Sequence, residues 1–219
     1  MRVLFAGTPE VALPALTALM DSPEHEVVGV LTRADARRGR GRGLHPSPVA
    51  ALARPVGLEV RTPATLRQAE VQDWIRSLEA DVAVVVAYGR IVPVSLLEVP
   101  VHGWLNLHFS LLPAWRGAAP VQRALIAGDD VTGACVFKLE EGLDTGPVYA
   151  RLTEAVRPTD TSGDLLERLA AAGAGLLLTT LGAVADGSVR PEPQDDAAAT
   201  LAPLLTTADG LLRWQDPAL

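Results

Sequence analysis

With 219 residues, 48% of them hydrophobic and 21% charged, and a mean hydropathy of +0.22, the chain has the composition of a protein with a substantial buried core, which excludes intrinsic disorder. A single cysteine, Cys135, excludes an intramolecular disulfide, and its apolar surroundings make it a packed core thiol. The formal charge of −7 argues against a surface that binds nucleic acid everywhere, yet five arginines against one aspartate between Arg33 and Arg42 set one basic spot on an acidic body.

The opening Arg2–Ala6 is a short apolar strand running into the turn Gly7-Thr8-Pro9-Glu10, where Thr8 is suited to cap a helix and Pro9 to its first position. A helix to about Met20 and a second strand over Glu26–Leu31 complete a βαβ opening. Residues 35–48 hold glycine, arginine and proline without periodicity and read as an exposed loop, ended by Ser47-Pro48 at a new helix. A third strand near Leu58–Arg61 and a helix from about Thr65 to Leu78 follow. The unbroken apolar run Asp81–Ala87 has the pattern of a strand covered on both faces in a parallel sheet.

Gly103–Ser110 is the next strand, and a helix occupies Pro120–Ala127. Thr132–Leu139 and Pro147–Val156, separated by a turn-rich stretch, form an antiparallel pair added to the parallel sheet. The last strong element is a helix from Thr161 to about Asp186, with Thr161 as its cap and Asp164 in its first turn, beyond which Pro, Asp, Ala and Thr give the composition of a linker. The fold class is α/β, a mostly parallel sheet with helices on both faces.

Several chemistries fail on spacing. Gly39-Arg40-Gly41-Arg42-Gly43 lacks the GxGxxG pattern, no GxxxxGK[ST] phosphate loop is present, and four scattered histidines without HExxH give no metal site. What remains is Asn106, His108 and Ser110, whose spacing of two puts them on one face of a strand at its carboxyl end, with Leu105, Leu107 and Phe109 turned the other way. On spacing alone, these side chains can equally cap the strand end by bonding to loop backbone. Asp144, in the glycine-flanked turn Gly142–Gly146, is the acid that would complete a reactive site; its alternative is an ordinary turn aspartate.

The run from Asn106 to Pro120, NLHFSLLPAWRGAAP, resembles the signature of the folate-dependent formyltransferases. The similarity extends to Phe5–Glu10, to the basic loop Arg38–Val49, to Val84–Pro93 with its Val-Ala-Tyr-Gly segment, and to the Gly-Leu-Asp-Thr-Gly turn. The resemblance implies a Rossmann-like domain that moves a formyl group from 10-formyltetrahydrofolate to the amino group of methionine on initiator tRNA. It makes Asn106, His108 and Asp144 the catalytic residues. Ser110, Leu111, Leu112 and Pro113 become folate contacts, with Tyr88, Gly89 and Ile91 as a wall of the folate pocket, and Arg38, Arg40 and Arg42 become the tRNA-binding arginines.

Those residue types suit the reaction independently. Formyl transfer passes through a tetrahedral intermediate that needs a donor at its oxyanion and a route for the amine's proton. Asn106 offers an amide N–H, and Asp144 can hold the His108 imidazole protonated or relay the proton through water. No metal is required, and Ser110 need not be a nucleophile.

The expected organisation is a catalytic domain over residues 1–205 and, from 206 to 219, the start of a linker to a C-terminal β-barrel that this chain lacks. The expected setting is cytoplasmic, as a monomer without a membrane partner. Glycinamide ribonucleotide formyltransferases are expected to carry a glycine and serine phosphate loop after the first strand, which Gly7-Thr8-Pro9-Glu10 is not. Sugar-nucleotide formyltransferases share Ser-Leu-Leu-Pro and Arg-Gly with this sequence. A noncatalytic RNA-binding module would use the arginine loop without needing Asn106, His108 and Asp144 together.

Overall fold

The computed structural model describes residues 1–37 and 43–211. Its centre is β1 (Arg2–Gly7), buried from Val3 onward because it is covered on both sides: Val3 and Phe5 enter one core, Leu4 and Ala6 the other. The chain then forms α1 (Leu13–Asp21), β2 (Glu26–Leu31), the short pair β3 (Ala36–Arg37) and β4 (Leu44–His45), α2 (Pro48–Ala53), β5 (Val60–Arg61), α3 (Ala69–Ser77) and β6 (Val82–Val86). It continues through α4 (Val94–Leu97), β7 (Trp104–His108), α5 (Pro120–Ala127), β8 (Val131–Lys138), β9 (Val148–Ala155) and α6 (Ser162–Ala185).

Seven strands form one sheet in the order β5-β2-β1-β6-β7-β8-β9, parallel as far as β7 and antiparallel across β8 and β9. Both the parallel sheet and the added antiparallel pair agree with the sequence reading. Helices α1, α2, α5 and α6 contribute to the core on one face, and α3 and α4 cover the other. Because β1 pairs with both β2 and β6, the strand order reverses there, and the carboxyl ends of β1, β6 and β7 open toward solvent, where open α/β sheets take their ligands. Helix α6 has the length and hydropathy of a membrane span, but Leu165, Leu169, Leu177 and Leu181 are buried in the core that β8 also lines.

Several local expectations change. Thr8 does not cap a helix: a 3-10 turn over Glu10–Ala12 precedes α1, and the Thr8 hydroxyl donates to the Tyr88 carbonyl at 3.0 Å, tying the exits of β1 and β6 together. Helix α3 starts at Ala69 rather than Thr65, whose hydroxyl instead accepts from the Arg67 N–H and holds a turn that buries Leu66. The expected loop 35–48 has an antiparallel stem, β3 with β4, closed at its base by a buried Thr32–Ser47 hydroxyl contact of 2.7 Å. Thr161 caps α6 in a reciprocal capping box with Asp164, as expected.

The stretch after α6 does not behave as the linker its composition suggests. Glu192 exchanges two backbone hydrogen bonds with Val148, Thr200 and Ala202 pair with Arg116, and the Ala202 side chain is fully buried. Arg123 on α5 then holds the Pro203 carbonyl and, at 2.8 Å, Asp209. Proline and small residues lack a periodic pattern because the segment finds its backbone partners far away in sequence rather than within itself.

Candidate active site

Alternation along β7 puts Asn106 and His108 on the face away from Leu105 and Leu107, which pack into the core with α6. His108 lies against the edge of β8, with its ring perpendicular to Phe137 at 6.1 Å between centroids, and is only 6% exposed. Its Nε2 is 2.9 Å from the Trp115 carbonyl oxygen. A carbonyl only accepts, so this bond assigns the proton to Nε2 and leaves Nδ1 to face the Asp144 Oδ2, 3.8 Å away. Burial lowers the His108 pKa from 6.5; the Asp144 charge and the Trp115 hydrogen bond oppose it but are the smaller effects. Burial thus favours the neutral form of the imidazole, in which the Nδ1 lone pair faces the carboxylate.

Asp144 reaches this point from the turn between β8 and β9. Its backbone is left-handed, with φ of 51°, and its Oδ2 accepts the Gly117 N–H at 2.8 Å. The turn can fold this tightly because a Cβ at Gly146 would collide with the Lys138 carbonyl. Trp115 is also left-handed, at φ 63°, and is fixed by its N–H to Thr200 Oγ1 (2.8 Å) and its indole N–H to Asp129 Oδ2 (2.7 Å). Non-glycine residues in this region cost on the order of 1 kcal/mol and persist only where their surroundings hold them. Here those surroundings aim the carbonyl that orients His108.

Two clefts lie beside this point and adjoin each other. One, of about 720 Å³, is lined by Tyr88, Gly89, Ile91, Asn106, His108 and Asp144 among others. The second, of about 630 Å³, lies between the β1–α1 turn and helices α5 and α6, lined by Val11, Val121 and Leu166 with Glu10 and Glu167. Ala87, Phe109, Ala118 and Pro120 line both. Both volumes are in the range of small-molecule sites.

The sequence matches the model of the formyl transferase family over residues 1–181. The chain belongs to the formyl transferase family. It is 62% identical over 218 residues to the methionyl-tRNA formyltransferase of Salinispora arenicola and to that of Salinispora tropica, spanning all of this chain and 70% of each relative. Among solved structures, phosphoribosylglycinamide formyltransferase from Bacillus halodurans shares the fold with a TM-score of 0.71 at 23% identity, covering 86% of this chain and 97% of that one.

Within this formyl transferase, the structure brings together six of the ten described residues singled out in the sequence as site residues. Asn106, His108 and Asp144 converge, and Tyr88, Gly89 and Ile91 line the same cleft. The Asn106 side chain makes no hydrogen bond to another described residue, and the Tyr88 phenol, pushed up to about 12 by burial, also has no partner among them. Ser110 does not join them. It lies past the end of β7, is fully buried, and donates to the Ala114 carbonyl at 2.6 Å, closing its own loop. Leu111, Leu112 and Pro113 do not line the cleft either; Leu112 packs with Cys135, Phe137 and Val148 under the loop. Phe109, expected to turn away, lines both clefts at their junction.

Arg38, Arg40 and Arg42 lie outside the described residues. Cys135 is the buried core thiol expected, its pKa pushed up to about 12 by burial. Among the described residues, no three His, Cys, Asp or Glu side chains are grouped to hold a metal. Sequence reasoning missed Trp115, Arg116, Thr200 and Gln194. The first two stand within the signature run, but the last two act across more than 40 residues and carry no local signal.

Proposed function

We propose that this chain transfers the formyl group of 10-formyltetrahydrofolate to the α-amino group of methionyl initiator tRNA. Asn106, His108 and Asp144 are its catalytic residues. The observation that carries the reading is His108 Nδ1 facing the Asp144 carboxylate at 3.8 Å in the lining of the larger cleft. Two acceptors 3.8 Å apart with no proton between them call for a donor, and an attacking amine supplies one.

The larger cleft, with exposed Ile91 and Leu204 at its lining beside the polar side chain of Asn106, suits the flat ring and polar edges of the folate. The second cleft, apolar with two glutamates, suits the aminoacyl end of the acceptor. As the amine nitrogen bonds to the formyl carbon, Asn106 donates to the oxygen that gains charge, a contact worth about a hundredfold to a thousandfold. His108 Nδ1 takes the amine proton, and Asp144 stabilises the resulting imidazolium. The imidazolium returns the proton to the folate nitrogen as the bond from that nitrogen to the formyl carbon breaks, so no net proton is held.

Further parts of the reading rest on the sequence. Arg38, Arg40 and Arg42 take the tRNA backbone. Residues 1–205 form the catalytic unit. The enzyme works in the cytoplasm as a monomer, without a membrane partner or metal.

The deciding experiment supplies labelled 10-formyltetrahydrofolate with charged initiator tRNA, glycinamide ribonucleotide or an amino-sugar nucleotide as acceptor. Label enters the methionyl ester and neither small acceptor. Label in the sugar nucleotide alone, or in none, overturns the assignment. A second expected result concerns protonation. Because burial is the dominant effect on His108, its ring proton resonances titrate in NMR with a midpoint below 6.5, and a midpoint above that value removes the neutral base.

A further inference from the structure

We propose that Gln194 is a positioning residue for Asp144, holding the turn that sets the carboxylate against His108; this rests on the functional reading above. Gln194 lies beyond the 1–181 span of the family match, in the segment whose composition resembles a linker. Its side-chain amide is nonetheless saturated. Nε2 donates to the Asp144 carbonyl at 2.9 Å and to the Gly146 carbonyl at 2.6 Å, while Oε1 accepts from Arg116 Nε at 3.0 Å and Nη2 at 2.9 Å. These four partners admit only one orientation, since a flipped amide would oppose oxygen to two carbonyls and NH₂ to a guanidinium.

The grip has two ends. Arg116 is 6% exposed, and its Nη2 also binds Asp196 at 2.7 Å, so the guanidinium is fixed. The next residue, Gly117, gives its N–H to the Asp144 carboxylate. One stretch of two residues thus holds Asp144 both at the carboxylate, directly, and at the backbone, through Gln194. Glu141, Gly142 and Leu143 are exposed and Asp144 is left-handed, so no apolar packing does this work. Without the glutamine amide, the turn relaxes toward an unstrained backbone and the 3.8 Å separation from Nδ1 is lost.

The test compares Gln194→Leu, Gln194→Glu, Asp144→Asn and the Gln194→Leu/Asp144→Asn double variant in the full chain, with 10-formyltetrahydrofolate and methionyl initiator tRNA. Gln194→Leu lowers kcat by about tenfold to a hundredfold, with KM for both substrates changed by less than about twofold, because misplacing a reacting group affects the transition state more than binding. In the Asp144→Asn background, the same change costs less than about twofold, since there is no carboxylate left to position. Equal losses in both backgrounds, or a Gln194→Leu kcat within about twofold of wild type, overturn the proposal. If Gln194→Leu does not fold, Gln194→Glu decides: it keeps an acceptor for Arg116 but opposes oxygen to both carbonyls, so reduced kcat supports the proposal and wild-type kcat overturns it. An Asp144→Asn enzyme at the wild-type rate overturns the functional reading and the proposal together.

Discussion

His108→Gln slows formyl transfer by a hundredfold or more, removing at least about 2.7 kcal/mol of transition-state stabilisation. Glutamine keeps a side-chain donor for the Trp115 carbonyl, so the loop that His108 Nε2 anchors retains its partner. What it lacks is a group at the Nδ1 position that accepts a proton and carries it. His108→Ala is the less informative change, because it also opens a hole beside Phe137 and strands a carbonyl in a nearly closed site. Single-turnover transfer of labelled formyl, alongside equilibrium binding of a reduced folate that cannot react, separates chemistry from affinity. The rate falls and folate binding stays within a few-fold. A transfer rate within a few-fold of wild type overturns the role of the imidazole.

Asp144→Asn has an effect of similar size, again about a hundredfold or more in rate. Asparagine is among the residues that tolerate the left-handed backbone at φ 51°, and its oxygen can accept the Gly117 N–H. The turn therefore survives while the charge does not. The oxygen that keeps the Gly117 N–H is also the one that faces His108 Nδ1, so the variant leaves the geometry and removes the charge that stabilises the protonated imidazole. Because Asp144 is the leading influence raising the His108 pKa, the NMR midpoint of His108 falls further in this variant. An unchanged midpoint with an unchanged rate refutes the coupling; thermal unfolding close to wild type shows that the loss is chemical.

Much of the site is legible in the chain because β7 encodes it locally. A period of two puts Asn106 and His108 on one face whatever the rest of the molecule does, and an unbroken apolar run such as Val82–Val86 announces a strand buried on both sides. The same rule fails at Ser110 and Phe109, because the strand ends at His108 and alternation has no meaning beyond it. The signature Ser-Leu-Leu-Pro thus takes its positions from a closed loop over Cys135 and Phe137 rather than from a pleat. The Thr8 capping signal fails for a related reason: a hydroxyl beside a helix start can serve the helix or a neighbour, and the sheet placed the Tyr88 carbonyl within reach.

The sequence by itself determines the strand and helix grammar, the parallel centre with its antiparallel addition, and the identity of the amide, imidazole and carboxylate, because these follow from short periods and from residue chemistry. Only the tertiary structure decides that burial lowers the pKa of the imidazole, that Trp115 orients it, and that Gln194 reaches Asp144 across 50 residues. Burial and long-range hydrogen bonds depend on which surfaces the folded chain brings together, and neither leaves a pattern in neighbouring residues.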